Sequence, residues 1–131
     1  MGHLTDTNVI SELMRREPDP RVVAWSIAQE SFRVSVVTLE ELVFGLTRKA
    51  LGFKLQWLDE FLAAHCEVVP VNAKVARTAG LLRGQLASRG MVRHASDMLI
   101  AATALVHGLS VVTRNTADFE GCGVPLVNPF E

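Results

Sequence analysis

Apolar positions along the chain change period repeatedly, and the changes mark short strands alternating with longer helices. Residues 4–6 read as a brief first strand, and the spacing that follows predicts helices over 9–16 and 21–29, parted by Pro18-Asp19-Pro20. A β-prone run over 32–37 predicts a second strand. Thr38 then opens a helix to about residue 51, and the next helix carries Phe53, Trp57 and Phe61 at i, i+4 and i+8. Residues 68–71 predict strand three, helices follow over 73–88 and 96–107, and Gly108 stands at a C-cap position. A fourth strand is expected over 109–113 and a fifth over 126–128. Strands separated by helical segments imply a parallel sheet covered on both faces, so the expected fold is a three-layer α/β/α domain with four to five strands.

Parallel sheets bind ligands at the carboxyl ends of their strands, and the acidic residues fall there. Asp6 ends strand one, Glu41 lies in the first turn after strand two, Asp97 opens the helix leading to strand four, and Asp118 follows that strand. Four carboxylates on one rim repel one another unless a divalent cation neutralises them. Oxygen donors without imidazole suit Mg²⁺ or Mn²⁺. Each acid also has a purely structural explanation. Thr38-Leu39-Glu40-Glu41 fits a capping box in which Glu41 bonds back to the Thr38 N–H. Asp6 and Asp97 are favourable charges at helix starts, and Asp118 suits a turn.

Composition narrows the partners. With 131 residues, 49% of them hydrophobic, the chain can build a core as one domain spanning 1–131 without disulfide or metal staples. Its net charge of -1 removes any general attraction to nucleic acid, so contact with phosphate must be local. Cys66 and Cys122 fall in no metal or disulfide spacing. The longest uncharged stretch, 98–113, is too short and too polar to span a bilayer, and no signal peptide opens the chain, so a soluble cytoplasmic protein without membrane contact is expected.

Four segments then carry a family resemblance. Leu4-Thr5-Asp6-Thr7-Asn8-Val9-Ile10-Ser11-Glu12-Leu13 resembles the first motif of PIN-domain nucleases, above all the VapC-type toxins of bacterial toxin-antitoxin pairs. Val37-Thr38-Leu39-Glu40-Glu41-Leu42-Val43-Phe44-Gly45 resembles the second, whose acid aligns with Glu41 by its spacing to Gly45 and leaves Glu40 a solvated neighbour. Ser96-Asp97-Met98-Leu99-Ile100-Ala101-Ala102-Thr103-Ala104 resembles the third, and Val112-Thr113-Arg114-Asn115-Thr116-Ala117-Asp118-Phe119 the fourth. In some relatives the fourth acid stands at the Asn115 position and in others at that of Asp118, so either residue can fill the place.

The resemblance implies a metal-dependent endoribonuclease that inhibits translation. Asp6, Glu41, Asp97 and Asp118 would be catalytic and would hold Mg²⁺ or Mn²⁺, which lowers the pKa of a bound water and stabilises charge on phosphate oxygens. Thr7, Asn8, Thr113 and Asn115 would orient the carboxylates, or serve only as turn and cap residues. Arg114, then Arg15, Arg16 and Arg93, are the nearest cations for the RNA backbone, each with a solvated-surface alternative. A homodimer is implied, as is a cognate VapB-type antitoxin lying in a hydrophobic groove, with DNA reached only through that antitoxin. Val9 to Leu13 and the Phe53, Trp57, Phe61 stripe offer such a groove, although a stripe at that spacing is also ordinary core.

Two other classes compete. An Asp after strand one also suits a haloacid dehalogenase-like phosphatase or a phosphoacceptor receiver. The phosphatase needs a second Asp where Asn8 stands, and the receiver needs an acid pair at strand one and a Lys after the last strand, which are absent. A PIN-fold interaction protein of weak or no catalysis, acting as corepressor with a DNA-binding partner, is the alternative that intact Asp6, Glu41 and Asp97 disfavour.

Overall fold

The computed structural model describes residues 2–131. β1 (His3–Thr5) leads through α1 (Thr7–Leu13) and α2 (Pro20–Ile27) to β2 (Phe32–Ser35), then through α3 (Val36–Arg48) and α4 (Gly52–His65) to β3 (Cys66–Val69). α5 (Ala73–Ser88) and α6 (Ala95–His107) lead to β4 (Ser110–Val112), and a short 3₁₀ turn over Thr116–Phe119 leads to β5 (Leu126–Val127). All ladders are parallel: β2 pairs β3, while β4 sits between β1 and β5. β1 lies against β2, which gives one five-stranded layer in the order β3-β2-β1-β4-β5. The chain winds outward from β1 to β3 and returns to the other side of β1. The switch between the two directions falls between β1 and β4, where an open parallel sheet has its crevice.

Helices cover both faces. α5 and α6 pack against Leu4, Val69 and Val111 on one side, with Met98, Ile100, Ala101, Ala102 and Ala104 buried. The small α6 side chains let α5 approach closely, and Thr103 satisfies its buried hydroxyl by donating to Leu99 O at 2.7 Å. On the other side α1, α3 and α4 bury Ile10, Leu42, Leu46 and Leu58 with Val34, and α1 and α2 bury Val9 and Val22 with Val112. Both faces of β4 are covered, so Val111 and Val112 are buried in succession. This is the expected α/β/α arrangement.

Several local expectations change, among them the first helix, found at Thr7–Leu13 rather than 9–16, and strand three, found at Cys66–Val69 rather than 68–71. Strand two ends at Ser35, two residues early, because the Ser35 hydroxyl accepts Val37 N–H at 3.1 Å and starts α3 before the two valines. Thr38 is therefore inside the helix and no capping box forms with Glu41. Helix α2 begins at Pro20, fitted to a first turn, with Asp19 accepting Arg21 N–H at 2.8 Å. Gly108 closes α6 in the left-handed conformation expected of it, at φ 65°. No helix among the described residues is long and apolar enough to cross a membrane.

Candidate active site

The crevice at the β1/β4 switch is built from side chains that follow those strands. Asp6 succeeds β1 as the N-cap of α1, accepting Thr7 N–H at 2.8 Å on Oδ1. Its other oxygen, Oδ2, accepts Thr113 Oγ1–H at 2.8 Å and Asn8 Nδ2–H at 3.2 Å. Thr113 directly follows β4 and is fully buried; its hydroxyl oxygen also accepts Asn8 Nδ2–H and Asn115 N–H, at 3.2 and 3.1 Å. Asn8 Oδ1 in turn accepts Arg114 N–H at 3.0 Å. One closed network thus ties the ends of the two central strands around a buried carboxylate.

Glu41 reaches the crevice from the first turns of α3, where Thr7 Oγ1 donates to its Oε1 at 2.7 Å. The Thr7 and Thr38 hydroxyl oxygens lie 3.2 Å apart, so Thr38 belongs to this contact rather than to a helix cap. Asp97 comes from the first turn of α6. Asp6, Glu41 and Asp97 line one cavity of about 720 Å³ together with Thr7, Asn8 and Asn115. Asp118 does not line it, and lies exposed on the 3₁₀ turn. Glu40 is exposed, as expected.

The charges feel one another. Burial pushes the Asp6 carboxyl up, and Glu41 adds to this against the lowering effect of the Thr113, Thr7 and Asn8 bonds. Asp97 is pushed up to about 6, first by burial and then by the negative charges of Asp6, Asp118 and Glu41, with His94 opposing. Asp118 therefore acts on the site electrostatically without facing its cavity. The donors are carboxylate oxygens, as a hard divalent cation requires. Among the described residues no three His, Cys, Asp or Glu side chains are drawn together closely enough to ligate one ion jointly.

A family model described as PIN domain matches residues 4–121. The chain belongs to the PIN-domain, VapC-type toxin-antitoxin family. It is 40% identical to "VapC ribonuclease Y4jK" of Sinorhizobium fredii over 134 aligned positions covering 96% of each chain. Toxin FitB of Neisseria gonorrhoeae is 36% identical, with 97% of each chain covered. A crystal structure of FitAcB from that organism superposes with a TM-score of 0.85 at 33% identity and 98% coverage of both chains. DNA-bound VapBC from Salmonella typhimurium gives 0.86 at 26% identity, again covering 98% of each chain. The general role attached to this PIN family is that of a ribonuclease toxin.

Several cavity residues had no signal in the sequence. Lys49 and Lys54 line the same cavity as the acids. They stand on either side of the α3–α4 turn, where Ala50 takes a positive φ of 55°, and no periodicity tells that this turn reaches the cavity. Arg15 and Arg114 also line the cavity, whereas Arg93 instead donates to Glu120 O at 3.2 Å. The aromatic stripe divides: Leu58 is core, but Phe53 and Trp57 are 71% and 39% exposed, and Trp57 stacks on Phe61 with centroids 5.0 Å apart. Trp57 and Phe61 line a separate apolar cavity with Leu13 and Ile27.

Proposed function

We propose that this chain is an endoribonuclease that hydrolyses RNA phosphodiester bonds with Mg²⁺ or Mn²⁺ and acts as the toxin of a toxin-antitoxin pair, inhibiting translation. The observation that carries this reading is the convergence of Asp6, Glu41 and Asp97, from three different elements, on one cavity where Asp97 is held up to about 6. Like charges placed this way are costly without a cation to offset them.

Asp6, Glu41 and Asp97 would hold the ion, with Asn115 on the cavity wall and Asp118 contributing charge from outside it. Mg²⁺ commonly keeps several waters and takes one or two carboxylates directly, which suits acids that share a cavity without closing on one point. When bound, the ion supplies a water of lowered pKa and charge stabilisation at the phosphate oxygens. The protein's own part is positioning. Thr113 and Asn8 fix the orientation of the Asp6 carboxyl and oppose the upward push of burial, and Thr7 holds Glu41 by its hydroxyl. Arg15, Lys49, Lys54 and Arg114 give a chain of charge -1 the local cations an RNA backbone needs.

The partners in this reading are an RNA substrate, a VapB-type antitoxin and a second copy of the chain. The apolar cavity beside Trp57 and Phe61 supports the antitoxin, since burying such a surface supplies affinity. DNA-bound complexes of relatives, such as FitAB on a DNA fragment, favour a corepressor role alongside catalysis. The deciding experiment is cleavage of mixed RNA by the purified chain with Mg²⁺ or Mn²⁺ and with EDTA. Cleavage abolished by EDTA and by Asp6→Asn or Asp97→Asn supports the reading, and EDTA-resistant or mutation-resistant cleavage overturns it.

A further inference from the structure

The acidic cavity opens sideways. Glu12, Arg15 and Arg114 line both it and a neighbouring cavity of about 400 Å³ walled by the α1–α2 loop and Phe130. Arg15 and Arg114 therefore stand where the two cavities adjoin, and each is anchored. Arg15 Nη1 lies 3.2 Å from both oxygens of Glu12, which is only 6% exposed and also accepts Asp19 N–H at 2.9 Å. On the other side, Arg114 N–H is held by Asn8, its carbonyl accepts Asn128 Nδ2–H at 3.4 Å, and its guanidinium carbon sits 4.9 Å from the Phe130 ring centroid.

Burying a carboxylate is costly unless its oxygens are satisfied, and here satisfaction comes from the loop backbone and from Arg15. The effect is to hold a long side chain at the cavity lip. Only Nη1 of Arg15 is used by Glu12, and the side chain is 65% exposed, which leaves its other N–H groups for another acceptor. A cation ordered in advance loses less side-chain entropy when it takes up a phosphate, and the guanidinium fork matches phosphate oxygens. Arg114 is linked through Asn8 to Asp6, so its place is set relative to the acids.

We propose that Arg15 and Arg114 form a two-arginine clamp that grips phosphates of single-stranded RNA on one side of the bond to be cut, with Glu12 as the positioning residue of Arg15. The proposal rests on the ribonuclease reading for its substrate. An unpaired strand can bend its backbone from the acidic cavity into the neighbouring one while its bases turn outward, and Arg planes also stack on such bases. A duplex keeps both backbones on a convex surface and cannot follow that path.

The test is anisotropy of a fluorescein-labelled, mixed-sequence single-stranded RNA titrated with Asp6→Asn protein across a salt series, with melting to check folding. The unsubstituted protein in EDTA repeats the series. Arg15→Ala and Arg114→Ala should each weaken binding about tenfold at low salt, as the loss of one charge-assisted contact does. Each should also flatten the log K against log salt slope by about 0.7. Glu12→Gln should flatten it in the same direction, and add nothing when combined with Arg15→Ala. Arg83→Ala, an exposed α5 residue outside both cavities, should leave the slope unchanged. In the otherwise unsubstituted enzyme, the arginine variants should raise KM with little change in kcat. Unchanged slopes in a protein that still cleaves RNA overturn the clamp and leave the nuclease standing. Flattened slopes, when the unsubstituted chain does not cleave RNA with Mg²⁺ or Mn²⁺, support the clamp and defeat the hydrolytic reading.

Discussion

Thr113 donates a 2.8 Å hydrogen bond to Asp6 Oδ2 across 107 residues of chain, and both groups are buried. Thr113→Val should remove the donor and leave Asn8 and Asn115 without their shared acceptor. Unsatisfied buried polar groups of this kind cost about 1–3 kcal/mol. Chemical denaturation should register a loss in that range, and Thr113→Ser should restore most of it. Equal stability of the Val and Ser variants would show that the network holds nothing.

Thr7 is the handle of Glu41. Removing its hydroxyl with Thr7→Val keeps the volume but frees the carboxylate, and loss of an orienting partner typically lowers activity about 10–100-fold. Metal-dependent RNA cleavage should fall accordingly, with Thr7→Ser close to the parent. Full activity in Thr7→Val would mean that Glu41 needs no such support.

Asp97 contributes a pH dependence to the metal-free protein, and the raised Asp6 adds to it in the same direction. The folded state keeps its proton up to about 6, while an ordinary Asp releases it near 3.8. Between those values the folded state holds the extra proton, so stability falls as pH rises and stays lower above that window. Melting in EDTA from pH 4 to pH 7 should show the fall, Asp97→Asn should flatten it, and Mg²⁺ or Mn²⁺ should offset it at pH 7.

Neutralising Asp6 should not reproduce the effect of neutralising Asp97. Asp97→Asn relieves burial and repulsion and should raise the metal-free melting temperature at pH 7. Asp6 accepts three hydrogen bonds, including the cap of α1, and an amide in its place turns an NH₂ group toward at least one donor. Asp6→Asn should therefore melt lower. A matching rise in both variants would make repulsion the sole feature of the site.

Trp57 tests the apolar cavity. With 39% of its surface exposed and its ring stacked on Phe61, it is placed to cover a partner more than to fill the core. Trp57→Ala should weaken binding of a VapB-type antitoxin tenfold or more, as an aromatic anchor does, while RNA cleavage changes little. Calorimetry against the antitoxin and an activity assay on the same preparation would separate the two.

The sequence made the long elements readable and left the short boundaries open. α5 matches its expected span, 73–88, because Asn72 caps it by accepting Val75 N–H and its helical pattern runs unbroken. Val36 and Val37 instead look like strand, and the Ser35 cap starts a helix there, with Val37 packed against the core. Among the acids, the junction pattern found Asp6, Glu41 and Asp97. It could not tell that Asp118 turns away from the cavity while Asn115 lines it, since one turn of 3₁₀ helix decides their directions. Glu12 reads as a polar position on an amphipathic helix, and its burial depends on Asp19 folding back to meet it.

The Asp6–Thr113 link also bears on when during synthesis the crevice exists. At about 5–20 residues per second, the 107 residues between them take on the order of 5–20 s to be made. Until β4 has emerged and paired with β1, the nascent chain carries Asp6 with Thr7 and Asn8 but without Thr113, the donor that ties it to the second strand. The closing of the crevice is thus a late event in the synthesis of the chain. A chain cut short before Thr113 lacks the orienting hydroxyl altogether.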